Sequence, residues 1–157
     1  MLMTNEALPA RAGGSRARPG KHRGTAWQQA SLSYLGDVVP TVEAVVAAMA
    51  AAGYADKDRF AMRLALEEAL VNGLKHGNQG DPARRVSVRY RVGPEQALVE
   101  AEDQGPGFNP DDVPDPLAPE NLERPGGRGL LLMRAYLTWV RYNDRGNAVT
   151  LCKSRSP

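Results

Sequence analysis

Apolar and polar residues alternate in three ways along this chain, and each way marks a kind of element. Residues 27–35 (W-Q-Q-A-S-L-S-Y-L) alternate partially and stop at Gly36, which predicts a strand. Val42, Val45, Val46 and Met49 then recur at helical spacing behind Pro40, and Gly53 closes that helix. A second helical pattern carries Phe60, Leu64, Val71 and Leu74 as its expected core stripe, with Asp56 or Asp58 as its cap. It ends at Gly77, Gly80 and Pro82. Residues 85–92 and 97–102 alternate with period two on either side of Gly93-Pro94-Glu95-Gln96, which predicts an antiparallel hairpin. The pattern returns as a helix over 130–140. A last hairpin follows, over 139–143 and 148–153, with its turn through Asp144-Arg145-Gly146-Asn147.

The predicted order is β-α-α-β-β-loop-α-β-β. Strands and helices do not alternate simply, so a doubly wound parallel sheet is disfavoured. The expected class is α+β: a two-layer sandwich with helices on one face of a mostly antiparallel, mixed sheet. The aromatic share is only 6%, so aliphatic side chains must fill the core. Trp139 is expected to pack within it. Two segments carry no periodicity. Residues 1–25 are rich in Gly, Pro, Ala and Arg and read as a disordered basic tail, leaving 26–157 as the folded domain. Residues 103–128 hold six prolines and form a loop of a length that is usually either functional or disordered.

Charge sharpens this division. The tail carries Arg11, Arg16, Arg18, Lys21 and Arg23 against Glu6 alone, so the net charge of +2 hides a mildly acidic domain. A nucleic-acid role would rest on that tail and is not expected. Cys152 is the single cysteine, which excludes an intrachain disulfide and a thiol cluster for zinc. No apolar run approaches the length of a membrane span, and the N-terminal residues lack a secretory apolar segment. The expected location is cytoplasmic.

Candidate chemistry lies on the second helix and around the long loop. Glu68 and Asn72 are four apart and project from one side of the helix, with His76 a turn further on. A carboxylate there can accept a proton, and a carboxamide can hold a metal ion or its water shell. Glu67 is the rival base, but it points about 100° away. Asp103-Gln104-Gly105-Pro106-Gly107 follows a predicted strand directly, so a ligand can lie against its backbone, with Asp103 accepting from an exocyclic amino group. Gly126-Gly127-Arg128-Gly129 opens the third helix, where backbone N–H groups and the helix dipole favour an anion. Neither the Walker nor the Rossmann glycine spacing is present.

In this order and on these elements, Glu68-Ala-Leu-Val-Asn72, Asp103-x-Gly105-x-Gly107 and Gly126-Gly-Arg-Gly-Leu-Leu-Leu-Met133 resemble the GHKL (Bergerat-fold) ATPases. Within them, the chain looks most like the bacterial anti-sigma factor serine/threonine protein kinases. The resemblance spans residues 27–153. It implies that Asn72 coordinates Mg²⁺ on the ATP phosphates and that Glu68 takes the proton from a protein hydroxyl. It implies that Asp103 binds the adenine amino group, with Gly105 and Gly107 shaping the base pocket and Thr150 assisting. It implies an ATP lid over 109–124 and backbone donors at Gly127 and Gly129. Arg124 or Arg128 would face the γ-phosphate, and the motif does not choose between them. The implied partners are an anti-anti-sigma-like protein substrate and a sigma factor, and the resemblance allows a homodimer. A nucleotide-binding module that sequesters a partner without phosphoryl transfer is the alternative. A histidine kinase is disfavoured, because only His22 and His76 are present and neither sits on a dimerisation helix.

Overall fold

A computed structural model describes residues 26–112 and 128–157. Among the described residues the sheet has five strands: β1 (Gln28–Leu32), β2 (Val86–Val92), β3 (Gln96–Glu102), β4 (Trp139–Tyr142) and β5 (Ala148–Ser154). Their order is β1-β2-β3-β5-β4, and every pairing is antiparallel. Against one face lie α1 (Val38–Ala51), α2 (Asp56–Asn72) and α3 (Arg128–Tyr136). The two-layer α+β sandwich expected from the pattern is present, with a sheet that is antiparallel throughout.

Register explains the core. Tyr90, Val99 and Leu151 face each other across β2, β3 and β5, as do Val88, Ala101 and Val149. All six are buried beneath the helices. The opposite face carries Ser87, Arg89, Glu100 and Thr150 along its middle, with Arg89 paired to Glu100. Trp139 lies outside the core cluster. Its half-buried ring sits under the Arg141 guanidinium, 4.4 Å from the ring centroid. That stack corrects the expected core role.

α1 starts where Asp37 accepts the backbone N–H groups of Ser33 and Tyr34 at 2.9 and 3.1 Å. It ends at Gly53, whose φ of 81° suits only a residue without Cβ. β1 stops at Leu32, because residues 35–37 turn through a short 3₁₀ segment.

On α2 the expected core stripe is displaced. Of Phe60, Leu64, Val71 and Leu74, only Leu74 is buried, and Phe60 is 54% exposed. The packed face is Ala61, Met62, Ala65, Leu66, Ala69 and Leu70. Met62, Leu66 and Leu70 recur four apart and are fully buried, so the packed face is a second apolar stripe, with three alanines beside it, turned away from the expected one. α3 ends at Tyr136 rather than at 140, because Trp139 already pairs with β5.

Neither aspartate caps α2, whose N-cap is Ala55 without a side-chain bond. Asp58 is fully buried instead and ties down the C-terminal segment. It accepts from the Ser156 amide at 2.8 Å and the Ser156 hydroxyl at 2.6 Å, with Lys153 Nζ at 3.8 Å. Burial pushes this carboxyl up, but the Ser156 donors and Lys153 outweigh it and hold it below the usual range. Asp58→Ala leaves two donors without an acceptor and should cost about 1–3 kcal/mol in chemical denaturation. A lowered native pKa means this stabilisation is complete above the unfolded aspartate value of about 3.9. It fades as pH falls through the native value, so wild type and Asp58→Ala should converge in strong acid.

Candidate active site

Glu68 and Asn72, one turn apart on α2, both line a cavity of about 550 Å³. That is the size range of small-ligand sites. Glu67, the rival carboxylate, is not among its lining residues. After Asn72 the helix widens into a π-type turn, Gly73–Gly77, closed by Asn78 N–H donating to Gly73 O at 2.8 Å. Such turns re-aim side chains at functional sites. Here Lys75 and His76 reach the cavity wall while staying solvent-exposed.

The Asp103-x-Gly105-x-Gly107 loop closes the far side. Gly105 N–H donates to Asp103 Oδ1 at 2.8 Å, which holds the carboxylate in place. A Cβ on Gly77 would overlap that carboxylate, and one on Gly105 would overlap the Gly77 carbonyl. Gly105 therefore makes room for the end of the π-turn rather than lining the cavity. Gly107 does line it, with φ 81° and its backbone pressed on the Arg145 carbonyl. Burial raises the Asp103 carboxyl above the ordinary aspartate range, and Glu102 adds to this against the pull of Gly105 N–H, Arg145 and Arg84.

α3 brings the third motif to Glu68. A Cβ on Gly129 would overlap the Glu68 carboxylate, so the missing side chain admits that group to the first turn of the helix. A carboxylate is favoured there by the helix dipole. Tyr142 of β4 completes the wall and meets Phe108 edge-on, with centroids 5.0 Å apart. Burial pushes the Tyr142 hydroxyl up to about 12.

One cavity thus joins Glu68, Asn72, Asp103, Gly107 and Gly129 from three separate motifs. The pattern of the histidine kinase-like ATPase domain matches residues 33–153, which spans all of them. The chain belongs to that family. It is 30% identical over 127 residues to the serine-protein kinase RsbW of Bacillus licheniformis, covering 76% of this chain and 78% of the relative. It is 29% identical over 128 residues to the protein of that name from Bacillus subtilis (strain 168), with the same coverage. The Listeria innocua protein of that name is 28% identical over 99 residues, covering 59% of this chain and 63% of that relative.

An ATPase domain of this family takes ATP, and this cavity is the candidate place for it. Asp103, Glu68, Asn72 and the start of α3 all stand on its wall. No group of three or more His, Cys, Asp or Glu that could hold a metal ion occurs among the described residues. Asn72 is a neutral oxygen donor on the cavity wall that could hold a metal ion or its water shell. Mg²⁺ is commonly held by such a partial shell rather than by an all-protein cage.

Thr150 does not join the site. It sits in β5 opposite Glu100 and Arg141, and it lines the groove on the sheet face away from the helices. With side chains alternating along a strand, its neighbour Val149 turns to the helix side and lines the cavity together with Ala148, while Thr150 faces the other way. Arg124, Gly126 and Gly127 lie outside the described residues, as do residues 1–25 and most of the expected lid. Arg128 opens α3, and its side chain is likewise outside them.

Sequence reasoning missed three asparagines. Asn143 Oδ1 accepts the amides of Gly146, Asn147 and Ala148 at 2.8–3.2 Å, and its amide donates to Asn147 Oδ1 at 2.8 Å. Asn147 Nδ2 then donates to the Asp103 carbonyl at 2.9 Å. Asn78, fully buried, accepts the Gln104 amide at 2.7 Å. Together they pin the loop between the end of α2 and the β4–β5 hairpin. The available signal was Asn143-Asp-Arg-Gly-Asn147, a turn with an asparagine at each end.

Proposed function

We propose that this chain is an ATP-dependent serine/threonine protein kinase of the anti-sigma factor type. It phosphorylates an anti-anti-sigma-like protein and binds a sigma factor. The observation that carries the reading is the placement of Glu68, one helical turn from Asn72 and against the first turn of α3. A site that only held nucleotide would not need a carboxylate beside the phosphate end.

In this reading Asp103 receives the adenine amino group, and Gly107 lets the base lie against the loop. Gly127 and Gly129 offer backbone N–H groups to the phosphates, and Arg124 or Arg128 faces the γ-phosphate. Asn72 holds Mg²⁺, which supplies charge neutralisation on the phosphates when bound. Glu68 accepts the proton from the partner's hydroxyl as that oxygen attacks the γ-phosphorus. The new O–P bond forms as the β,γ-bridging bond breaks, ADP departs, and the proton resides on Glu68. Positioning and charge neutralisation suffice for this transfer, so a small set of groups can carry it. Residues 26–157 act as one domain, and the setting is the cytoplasm.

The test combines the purified chain, radiolabelled ATP, Mg²⁺ and candidate small serine-bearing antagonist proteins. The expected result is phosphoserine or phosphothreonine on one of them. Nucleotide binding with no transfer to any cognate candidate would instead assign a silent ATP-binding module that regulates by sequestering its partner.

A further inference from the structure

A kinase for a protein hydroxyl needs a surface that delivers that hydroxyl, and here an exposed apolar stripe leads to Glu68. On α2, Phe60, Leu64 and Glu68 follow at i, i+4 and i+8, so they lie along one side of the helix. On α3, Gly129, Leu132 and Tyr136 follow at i, i+3 and i+7. Two contacts zip the helices together. Gly129 abuts the Glu68 carboxylate, and Phe60 meets Tyr136 edge-on with centroids 6.4 Å apart. The two rows therefore run side by side in opposite chain directions.

Phe60, Leu132 and Tyr136 are 54%, 43% and 42% exposed, and Leu64 is half-buried. Single exposed apolar residues are ordinary, but a contiguous set that includes an aromatic pair marks an interaction surface. Aromatic side chains are also the usual anchors of protein contacts. Eight residues of helix place Phe60 about 12 Å from Glu68 along the axis.

We propose that this α2–α3 stripe is the docking surface for the protein substrate: a partner with an apolar patch about 12 Å from its accepting serine. The proposal rests on the kinase reading above and adds where the substrate sits. A serine delivered to Glu68 brings the partner's body over the surface around the cavity mouth. The stripe is continuous with that mouth, because Glu68, half-buried at the end of the α2 row, also lines the cavity. Its occupant is therefore the phosphate acceptor, in preference to a second copy of this chain.

The test uses the full chain and the antagonist protein that the wild type phosphorylates in the assay above. Phe60→Ser and Tyr136→Ser should each raise KM for that protein about tenfold, the cost typical of a lost aromatic anchor. The kcat at saturation and the affinity for ATP should stay within twofold of wild type. Phe60→Leu should restore most of the KM. Val39→Ser removes an equally exposed apolar residue at the start of α1 and should change nothing. Melting curves identify any misfolded variant, and Leu132→Lys then replaces it. An unchanged KM overturns the proposal, as does an equal rise with Val39→Ser. Loss of self-association in place of a KM change assigns the stripe to a second copy and also overturns it. If the wild type itself transfers no phosphate, the kinase reading falls first and this surface falls with it.

Discussion

Glu68→Gln should lower phosphoryl transfer by about 10²–10⁴-fold while leaving ATP affinity within a few-fold of wild type. The amide keeps the shape of the side chain and its place against Gly129, but it cannot accept the proton of the attacking hydroxyl. Transfer measured in a single turnover with saturating ATP isolates that step. Gly129→Ala makes a second, independent demand. Its Cβ would overlap the Glu68 carboxylate, so the base is pushed aside rather than removed. Displacement by about 1 Å can cost about 10²-fold in rate. A Glu68→Gln protein that transfers phosphate at the wild-type rate would remove Glu68 from the mechanism.

The second large effect concerns Asp103. Burial already holds its carboxyl above the ordinary aspartate range, so it protonates at a higher pH than an exposed aspartate. An adenine amino group donates to the ionised form and draws the pKa back down. ATP binding should therefore release protons near the raised pKa, and affinity should weaken as pH falls through it. Calorimetry in buffers of different ionisation enthalpy reads both. Asp103→Asn keeps an oxygen for the Gly105 amide but offers the base no charged acceptor. Affinity should fall by about 1.5–3 kcal/mol, the range for a hydrogen bond to a charged group, and its pH dependence should flatten. Stability should move the other way. A carboxyl with a raised native pKa costs stability above its unfolded value, so the nucleotide-free Asp103→Asn protein should be no less stable at neutral pH. Equal ATP affinity in the two proteins would take the adenine contact away from Asp103.

Much of the architecture was legible because it depends on short-range periodicity. The alternation of Val86, Val88 and Tyr90 is the buried row of β2, and the 42-45-46-49 spacing is the buried face of α1. The two misread helices show where periodicity stops helping. α2 carries apolar residues on two sides, 60-64-71-74 and 62-66-70, and periodicity alone does not choose which side meets the core. α3 loses its last turn because Trp139 and Val140 pair with β5, a contact across the chain that outweighs local helical preference. Thr150 shows the same limit, since a shift of one residue in a strand reverses the face that a side chain occupies.

The sequence alone determined the elements, the α+β class, the family and the pairing of Glu68 with Asn72. Each of these is a matter of spacing within a segment or of the order of segments along the chain, both of which a sequence carries directly. Only the tertiary structure decided which groups meet. Gly129 admits the Glu68 carboxylate, Gly77 and Gly105 make room around Asp103, and Asn147 reaches from the last hairpin to hold the Asp103 backbone. The same packing set Phe60 beside Tyr136 on an open surface instead of in the core. These contacts join residues far apart in the chain. No local period encodes them, and they arise only when the helices close on the sheet.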